Sequence, residues 1–277
     1  EDFELYAHWI LIDTTIIASG SCGEDLSWTL DASGTFTISG TGRMTDFSTS
    51  SGMPWYENKY QIKNVTIQEG VETIGKHAFD GCTSLRSTSL PKSLIEIGHY
   101  AFKSCSAMEQ IEIPTNVKSI GSSAFSNCTG LESVELPNSV TNIGNAAFSE
   151  CTSLMSIELP TGITVIPNSM FYRCTKLRSV KLPEALTCIE PFAFVSCIAL
   201  LEIRLPDNVT SIGNDTFFGC SSLADINIPK GVTSIQPDVF ANCTSLTGVD
   251  LPEGLTSIQT SILWMCRLEG NRASQRR

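Results

Sequence analysis

Eleven cysteines stand among the 277 residues, and nine of them, Cys82, Cys105, Cys128, Cys151, Cys174, Cys197, Cys220, Cys243 and Cys266, recur at intervals of 23. Thiols can pair as disulfides, hold soft metal ions or act as nucleophiles, and each use demands its own spacing. A fixed interval of 23 marks one column of a repeat. If each repeat is one coil, neighbouring cysteines come about 5 Å apart at Cα, a separation that a disulfide tolerates. Against pairing, each cysteine follows an aromatic column by three residues, nine is odd, and no histidine column accompanies the sulfurs. The expectation is therefore buried free thiols packing as small hydrophobes. No CxxC pair occurs, so no zinc or other metal site is expected. Cys22 and Cys188 lie outside the column. Cys188 shares its own column with Thr73, Ser119, Asn142, Ser211, Ser234 and Ser257, a polar position expected to face solvent.

Other catalytic chemistry finds little support. There are three histidines, His8, His77 and His99; His77 and His99 fall in different repeat columns, and neither has a Ser or Cys nucleophile at a motif spacing. Glycines fall as repeat punctuation rather than as phosphate loops. The net charge of −11 disfavours nucleic acid and anionic membrane as partners. The longest apolar run, WILIDTTIIA from Trp9, is too short to cross a bilayer and contains Asp13, so it reads as a strand. No signal peptide is read at Glu1, and ASGSC before Cys22 is not read as a lipoprotein box, because Ser19 stands where a Leu-like residue is expected. No cofactor is expected, and the chain is read as non-enzymatic.

The repeat must position whatever function there is. Phe79, Phe102, Phe125, Phe148, Phe171, Phe194, Phe217 and Phe240 recur at 23, with Leu263 closing the series, and Ile74 to Ile258 fill another column without exception. Nine units run from Ile62 to Leu268 on the pattern L-x-x-[VI]-x-[LI]-P-x-x-[VIL]-x-x-I-G-x-x-A-F-x-x-C-[TS]-x. In LESVELP, Val134 and Leu136 flank polar Glu135, which is strand alternation with one face buried, and Pro137 ends the strand. The 16 residues that return to the next Leu154 leave room for short extended or 3₁₀ segments and at most one helical turn. The fold class expected is a β-rich leucine-rich repeat solenoid: nine 23-residue coils, a continuous parallel sheet on one face and a small N-terminal β cap. At about 4.8 Å per coil it would be roughly 43 Å long. The glycine column gives way to Pro167, Glu190, Gln236 and Gln259, so it is not expected to be an obligatory left-handed turn. SWTLDASGTFTISG alternates Trp28 and Leu30, then Phe36 and Ile38, around Ser-Gly, which predicts a capping hairpin.

Two outward columns carry functional readings. Thr141, Thr164, Thr187, Thr210, Thr233 and Thr256 form an array that could order ice, but polar β-branched residues on a coil edge explain it more simply. Sequons at Asn64, Asn127, Asn208, Asn214 and Asn242 arise from the repeat itself. The exposed strand column runs Thr66, Ser89, Glu112, Glu135, Glu158, Lys181, Arg204, Asn227 and Asp250. Stacked like charges cost something, which a bare scaffold would avoid. Glu112, Glu135, Glu158, Lys181 and Arg204 are therefore the ligand-binding candidates, suited to a basic peptide stretch or a weakly held Ca²⁺, with the two cations meeting acidic groups of the same partner.

On LPNSVTNIGNAAFSECTSLMSIE from Leu136 and on SGSCGEDLSWTLDASGTFTISGTGRMTDF, the chain resembles the BspA-like leucine-rich repeat family of bacterial and protist surface proteins. EDFELYAHW is similar to the end of a Listeria-Bacteroides repeat. The resemblance implies a surface or secreted location and a binding or adhesion role, with a protein or glycan as ligand and host extracellular matrix among the candidates. The alternative is a structural spacer in a multi-module surface protein. It divides the chain into 1–18, the tail of an upstream surface module; 19–61, the cap; 62–268, the solenoid; and 269–277, a polar tail. The protein is expected to be a monomer without membrane insertion.

Overall fold

The computed structural model describes residues 14–259. Most of the expected upstream tail, Leu263, Cys266 and the polar tail 269–277 lie outside the described residues. Residues 62–245 wind into eight complete coils, and a ninth has begun by residue 259, so the chain is a β-solenoid.

The cap precedes it. Strand β1 (Ile16–Ser21) runs across the boundary expected at residue 18 and pairs antiparallel with β2 (Asp25–Asp31). The predicted hairpin is present: β2 pairs antiparallel with β3 (Thr35–Arg43), placing Trp28 opposite Ile38 and Leu30 opposite Phe36. Asp31 closes its turn by accepting from Ser33 Oγ and Thr35 N, and Gly34 takes a φ of +92°. β3 is long enough to cover both strands of the first coil. Phe36 and Ile38 lie beside Val65 and Ile67 of β4 (Asn64–Ile67), and Gly42 beside Val71 of β5 (Val71–Ile74). This leaves no open edge on the first coil.

Each coil contributes two strands rather than one. The L-x-x-V-x-L stretch gives a short strand such as Gln110–Glu112 or Ser133–Glu135, and the residues before the glycine column give a second, such as Ser119–Ile120. Both rows are parallel and exactly in phase with the repeat, but neither is continuous as the sequence suggested. The first row forms pairs, including Ser133–Glu135 with Gln110–Glu112 and Ser156–Glu158 with Ser179–Lys181. The second runs from β5 to Asn142–Ile143, restarts at Val165–Ile166, and restarts again at Ser234–Ile235.

The glycine column accounts for these restarts. As expected, none of its glycines has a positive φ. Their role is closeness: a Cβ on Gly121, Gly144 or Gly213 would come 2.4 Å from a backbone nitrogen of the preceding coil. Both restarts fall where a residue with a Cβ follows a glycine in this column, Pro167 after Gly144 and Gln236 after Gly213. Pro167 also lacks the N–H that Gly98, Gly121 and Gly144 give to the isoleucine carbonyl one coil back.

The third side of the coil holds together without strands. Two residues per coil take left-handed geometry, one column running from His77 to Asp238 and the other from Gly81 to Asn242, with φ of 54–62° at the non-glycine positions. Left-handed geometry costs an L-residue roughly 1–2 kcal/mol. The return is that alternate N–H groups point along the solenoid axis: His77, Phe79 and Gly81 donate to His99, Ala101 and Lys103 of the next coil, and the pattern recurs down the stack.

Inside, phenylalanine rings from Phe79 to Phe240 form one file with centroids 5.3–6.1 Å apart and planes within 20° of parallel. Trp55, Phe36 and Trp28 extend it into the cap. Each ring is buried, and those from Phe79 to Phe217 have an aromatic neighbour on both sides. Phe148→Ala, in the middle of the file, is expected to cost about 3–5 kcal/mol. Phe240→Ala should cost less, since the next residue of its column is Leu263. Urea denaturation of the two variants checks this, and equal losses would contradict nearest-neighbour stabilisation.

Candidate functional site

The side chains that the sequence singles out stand on the first strand row. Glu112, Glu135, Glu158, Lys181 and Arg204 are all exposed, and the inward positions between them, Ile111, Val134, Ile157, Val180 and Ile203, are buried. Glu112 lies directly beside Glu135 on paired parallel strands. Glu158 instead pairs with Lys181, whose Nζ donates to Glu158 Oε1 at 2.7 Å. Arg204 turns to Asp225 on the following coil, 3.0 Å away. The structure thus leaves Glu112 and Glu135 as an adjacent like-charged pair and gives both cations an acidic partner within the chain. These exposed ion pairs are weak and exchange readily for others. Asn227 interrupts the charged column before Asp250, and its amide exchanges two hydrogen bonds of 2.8 Å with the Leu205 backbone.

A second outward column on the same face escaped the sequence reading. It holds Arg86, Glu109, Glu132, Met155, Arg178, Leu201 and Ala224, all exposed. Backbone bonds keep it in file: Glu132 N donates to Glu109 O, Met155 N to Glu132 O, Arg178 N to Met155 O and Leu201 N to Arg178 O. The signal was available in sequence, one position after the leucine column, where Met155 and Leu201 interrupt charged residues. Ile198, 46% exposed, adds a third apolar side chain where the other coils have Ser or Thr.

The cysteine column is explained by a hydrogen bond. The described column cysteines are buried, and Cys82, Cys105, Cys128, Cys151, Cys174, Cys197 and Cys220 are free thiols. Cys105, Cys128, Cys151, Cys174, Cys197, Cys220 and Cys243 each aim Sγ at a phenylalanine carbonyl of the preceding coil, 3.0–3.2 Å away. That carbonyl already accepts the cysteine N–H of its own coil, as from Cys82 N to Phe79 O. A weak donor with small apolar bulk suits the place. Burial raises these thiols: Cys128 and Cys174 are pushed up to about 12, Cys22 to about 11, and Cys82, Cys105, Cys151, Cys197 and Cys220 well above their ordinary value. Cys188, partly exposed, stands apart from them on the second strand row.

The threonine column also serves the fold. Thr187, Thr210 and Thr256 donate their hydroxyls to the carbonyl of the threonine one coil back. His77 stacks on Tyr100 with Nδ1 2.8 Å from Asp80, and His99 Nδ1 accepts the Ser122 N–H, so both rings are engaged in local structure. Among the described residues no three His, Cys, Asp or Glu side chains are grouped to hold a metal ion, and no helix is long and apolar enough to cross a membrane.

A stack of 23-residue coils with this Phe, Cys and Ile placement matches the description "BspA type leucine rich repeat region" over residues 50–178 and 141–269. The chain belongs to the BspA-type leucine-rich repeat family. Among solved structures it is similar to a leucine-rich repeat protein from Eubacterium ventriosum, at 21% identity and a TM-score of 0.52, over 87% of this chain and 84% of that one. It is also similar to a leucine-rich repeat protein of T. pallidum, at 26% identity and a TM-score of 0.52, over 74% of this chain and 92% of that one. No curated protein matches the sequence. The BspA-type family match and these likenesses agree with the parallel solenoid seen here.

Two outcomes follow from the thiols. A maleimide added to the native protein should modify Cys188 well before the buried cysteines Cys82 to Cys243, and mass spectrometry showing them labelled equally fast would refute the assignment. The second concerns pH. A thiol whose folded pKa lies above its unfolded value near 8.5 stabilises the fold fully below that value and loses the contribution as pH rises towards the folded one. Each buried thiol should then withdraw up to about 1.4 kcal/mol per pH unit above the unfolded value. Urea midpoints should fall steeply between about pH 8.5 and 11, and a flat profile there would contradict burial of the column.

Proposed function

We propose that this is a non-enzymatic binding or adhesion module of a surface or secreted protein, which takes a protein or glycan ligand on the face of the first strand row. The observation that carries the reading is the outward charge on that face. Most outward positions on the coil are small and polar, whereas Glu112, Glu135, Glu158, Lys181 and Arg204 stand exposed on rigid strands with only weak pairings inside the chain. Strands hold the side chains at fixed spacing, so a partner meets an ordered array, and the entropy cost of binding falls. Family membership supports surface display, and host matrix proteins and glycans are the first ligands to screen.

The Glu112 and Glu135 carboxylates suit a basic segment of the ligand, and Lys181 and Arg204 suit acidic groups once released from Glu158 and Asp225. Combined Glu135→Lys and Glu158→Lys should leave the melting temperature within a few degrees, because both side chains are exposed. Affinity for a captured ligand should fall, and its salt dependence should flatten. Surface plasmon resonance at low and moderate salt makes the comparison. Unchanged affinity at low salt would move the site elsewhere, and failure of every matrix and glycan ligand to bind would favour the spacer.

A further inference from the structure

The two outward columns carry a pattern that either one alone hides. Along the solenoid axis the signs run in blocks: Glu109 and Glu112 on one coil, Glu132 and Glu135 on the next, Met155 and Glu158 on the third, Arg178 and Lys181 on the fourth, Leu201 and Arg204 on the fifth. All ten side chains are exposed. About the coil of Met155 the charges are antisymmetric at Glu132 and Arg178, at Glu135 and Lys181 and at Glu112 and Arg204, with an apolar side chain at the centre; Leu201 stands opposite Glu109, and exposed Glu202 adds one carboxylate to the basic half.

Consider two such faces laid together about a two-fold axis that lies in the contact plane, parallel to the strands. That operation reverses the solenoid axis and preserves position along the strand. Coils on either side of Met155 are exchanged, and each outward column meets itself. Glu135 then faces Lys181, Glu132 faces Arg178 and Glu112 faces Arg204, each contact occurring twice, while Met155 meets its own copy on the axis. Glu158 also lies on the axis and meets its own copy, each carboxylate being held by Lys181 of its own chain 2.7 Å away, and Glu109 faces Leu201. An in-plane axis along the solenoid would instead set each coil over itself and oppose like charges.

We propose that the ligand of this face is a second copy of the same chain, bound antiparallel through an isologous contact centred on Met155. The inference rests on the reading of the strand face as the binding surface and names its partner; it replaces the monomer expected from the sequence. Charge complementarity selects the occupant. The partner must present carboxylates to Arg178, Lys181 and Arg204, and cations at the same coil spacing to Glu112, Glu132 and Glu135. A second copy supplies both, in register, from the coil spacing alone. Met155, 43% exposed, and Leu201, 55% exposed, supply apolar contact in a face otherwise built of charges. Between copies displayed on separate surfaces, the antiparallel contact would join one to the other.

Charge reversal on each half tests this. One variant carries Glu112→Lys, Glu132→Lys and Glu135→Lys, so that both halves of its face are predominantly basic; the other carries Arg178→Glu, Lys181→Glu and Arg204→Glu, so that both halves are predominantly acidic. Sedimentation velocity of the natural sequence at low salt should show a dimer that dissociates as concentration falls and as salt approaches about 0.5 M. Each variant alone should be monomeric, and an equimolar mixture should recover the dimer. Circular dichroism melting of each variant confirms that it is folded. A natural chain that stays monomeric at low salt up to high concentration overturns the proposal, as does a dimer that either variant retains, or two folded variants that do not recombine. If the natural chain is monomeric yet a matrix or glycan ligand binds and is lost on reversal of Glu135 and Glu158, the face remains the binding surface and only the homotypic partner falls.

Discussion

The whole solenoid depends on the phenylalanine at the corner of each coil, because five separate contacts meet there. Its ring stacks on the rings of the coils before and after. Its N–H donates to the next coil, as from Phe102 to Ala124, and its carbonyl takes a cysteine N–H of its own coil and a cysteine thiol of the next, as Phe102 O does from Cys105 and Cys128. A coil taken alone can satisfy only one of these. Stability therefore belongs to the step between coils rather than to the coil, and the cap exists to give the first coil a step.

That dependence explains which parts of the molecule could be read in advance. The inward columns of Phe, Ile, Leu and Cys were legible because burial tolerates few side chains and so prints a strict period. The hairpin cap was legible from the alternation of Trp28, Leu30, Phe36 and Ile38. The left-handed corners were not, since their columns hold His77, Tyr100, Phe192 and Asp215 and show no preference for glycine; the backbone is fixed there by bonds to the adjacent coil. The second strand row was hidden because two residues are too few to show alternation. The interruptions at Pro167 and Gln236 were also missed, although the substitutions themselves were visible. What the sequence does not display is that the glycine serves close approach of coils, so that the loss of glycine matters most where it first occurs.

The candidate face was legible in part. Column order places Glu112, Glu135, Glu158, Lys181 and Arg204 on one surface without any coordinates. It does not tell that Lys181 reaches Glu158, that Arg204 reaches forward to Asp225, or that Met155 and Leu201 stand in a parallel file beside them. Those facts depend on side-chain direction at the entry to a strand, where inward and outward positions follow no simple alternation. They turn a list of charges into a two-dimensional pattern with a sign and a centre.

The cross-coil bonds described above join residues 22, 23, 24 or 26 apart, as from Phe79 to Ala101, from Thr187 to Thr164, from Gly98 to Ile74 and from Cys105 to Phe79. A gene segment encoding one whole unit can therefore be lost or duplicated by recombination between neighbouring units, and each bond re-forms with the next equivalent residue. The fold is indifferent to such a change of length. The order of charges along the face is not, for one unit removed between Glu112 and Arg204 shifts every sign beyond it by a coil. Length variation in such a gene would thus redraw the surface while leaving the scaffold intact, and alleles could differ in what they hold without differing in how they fold.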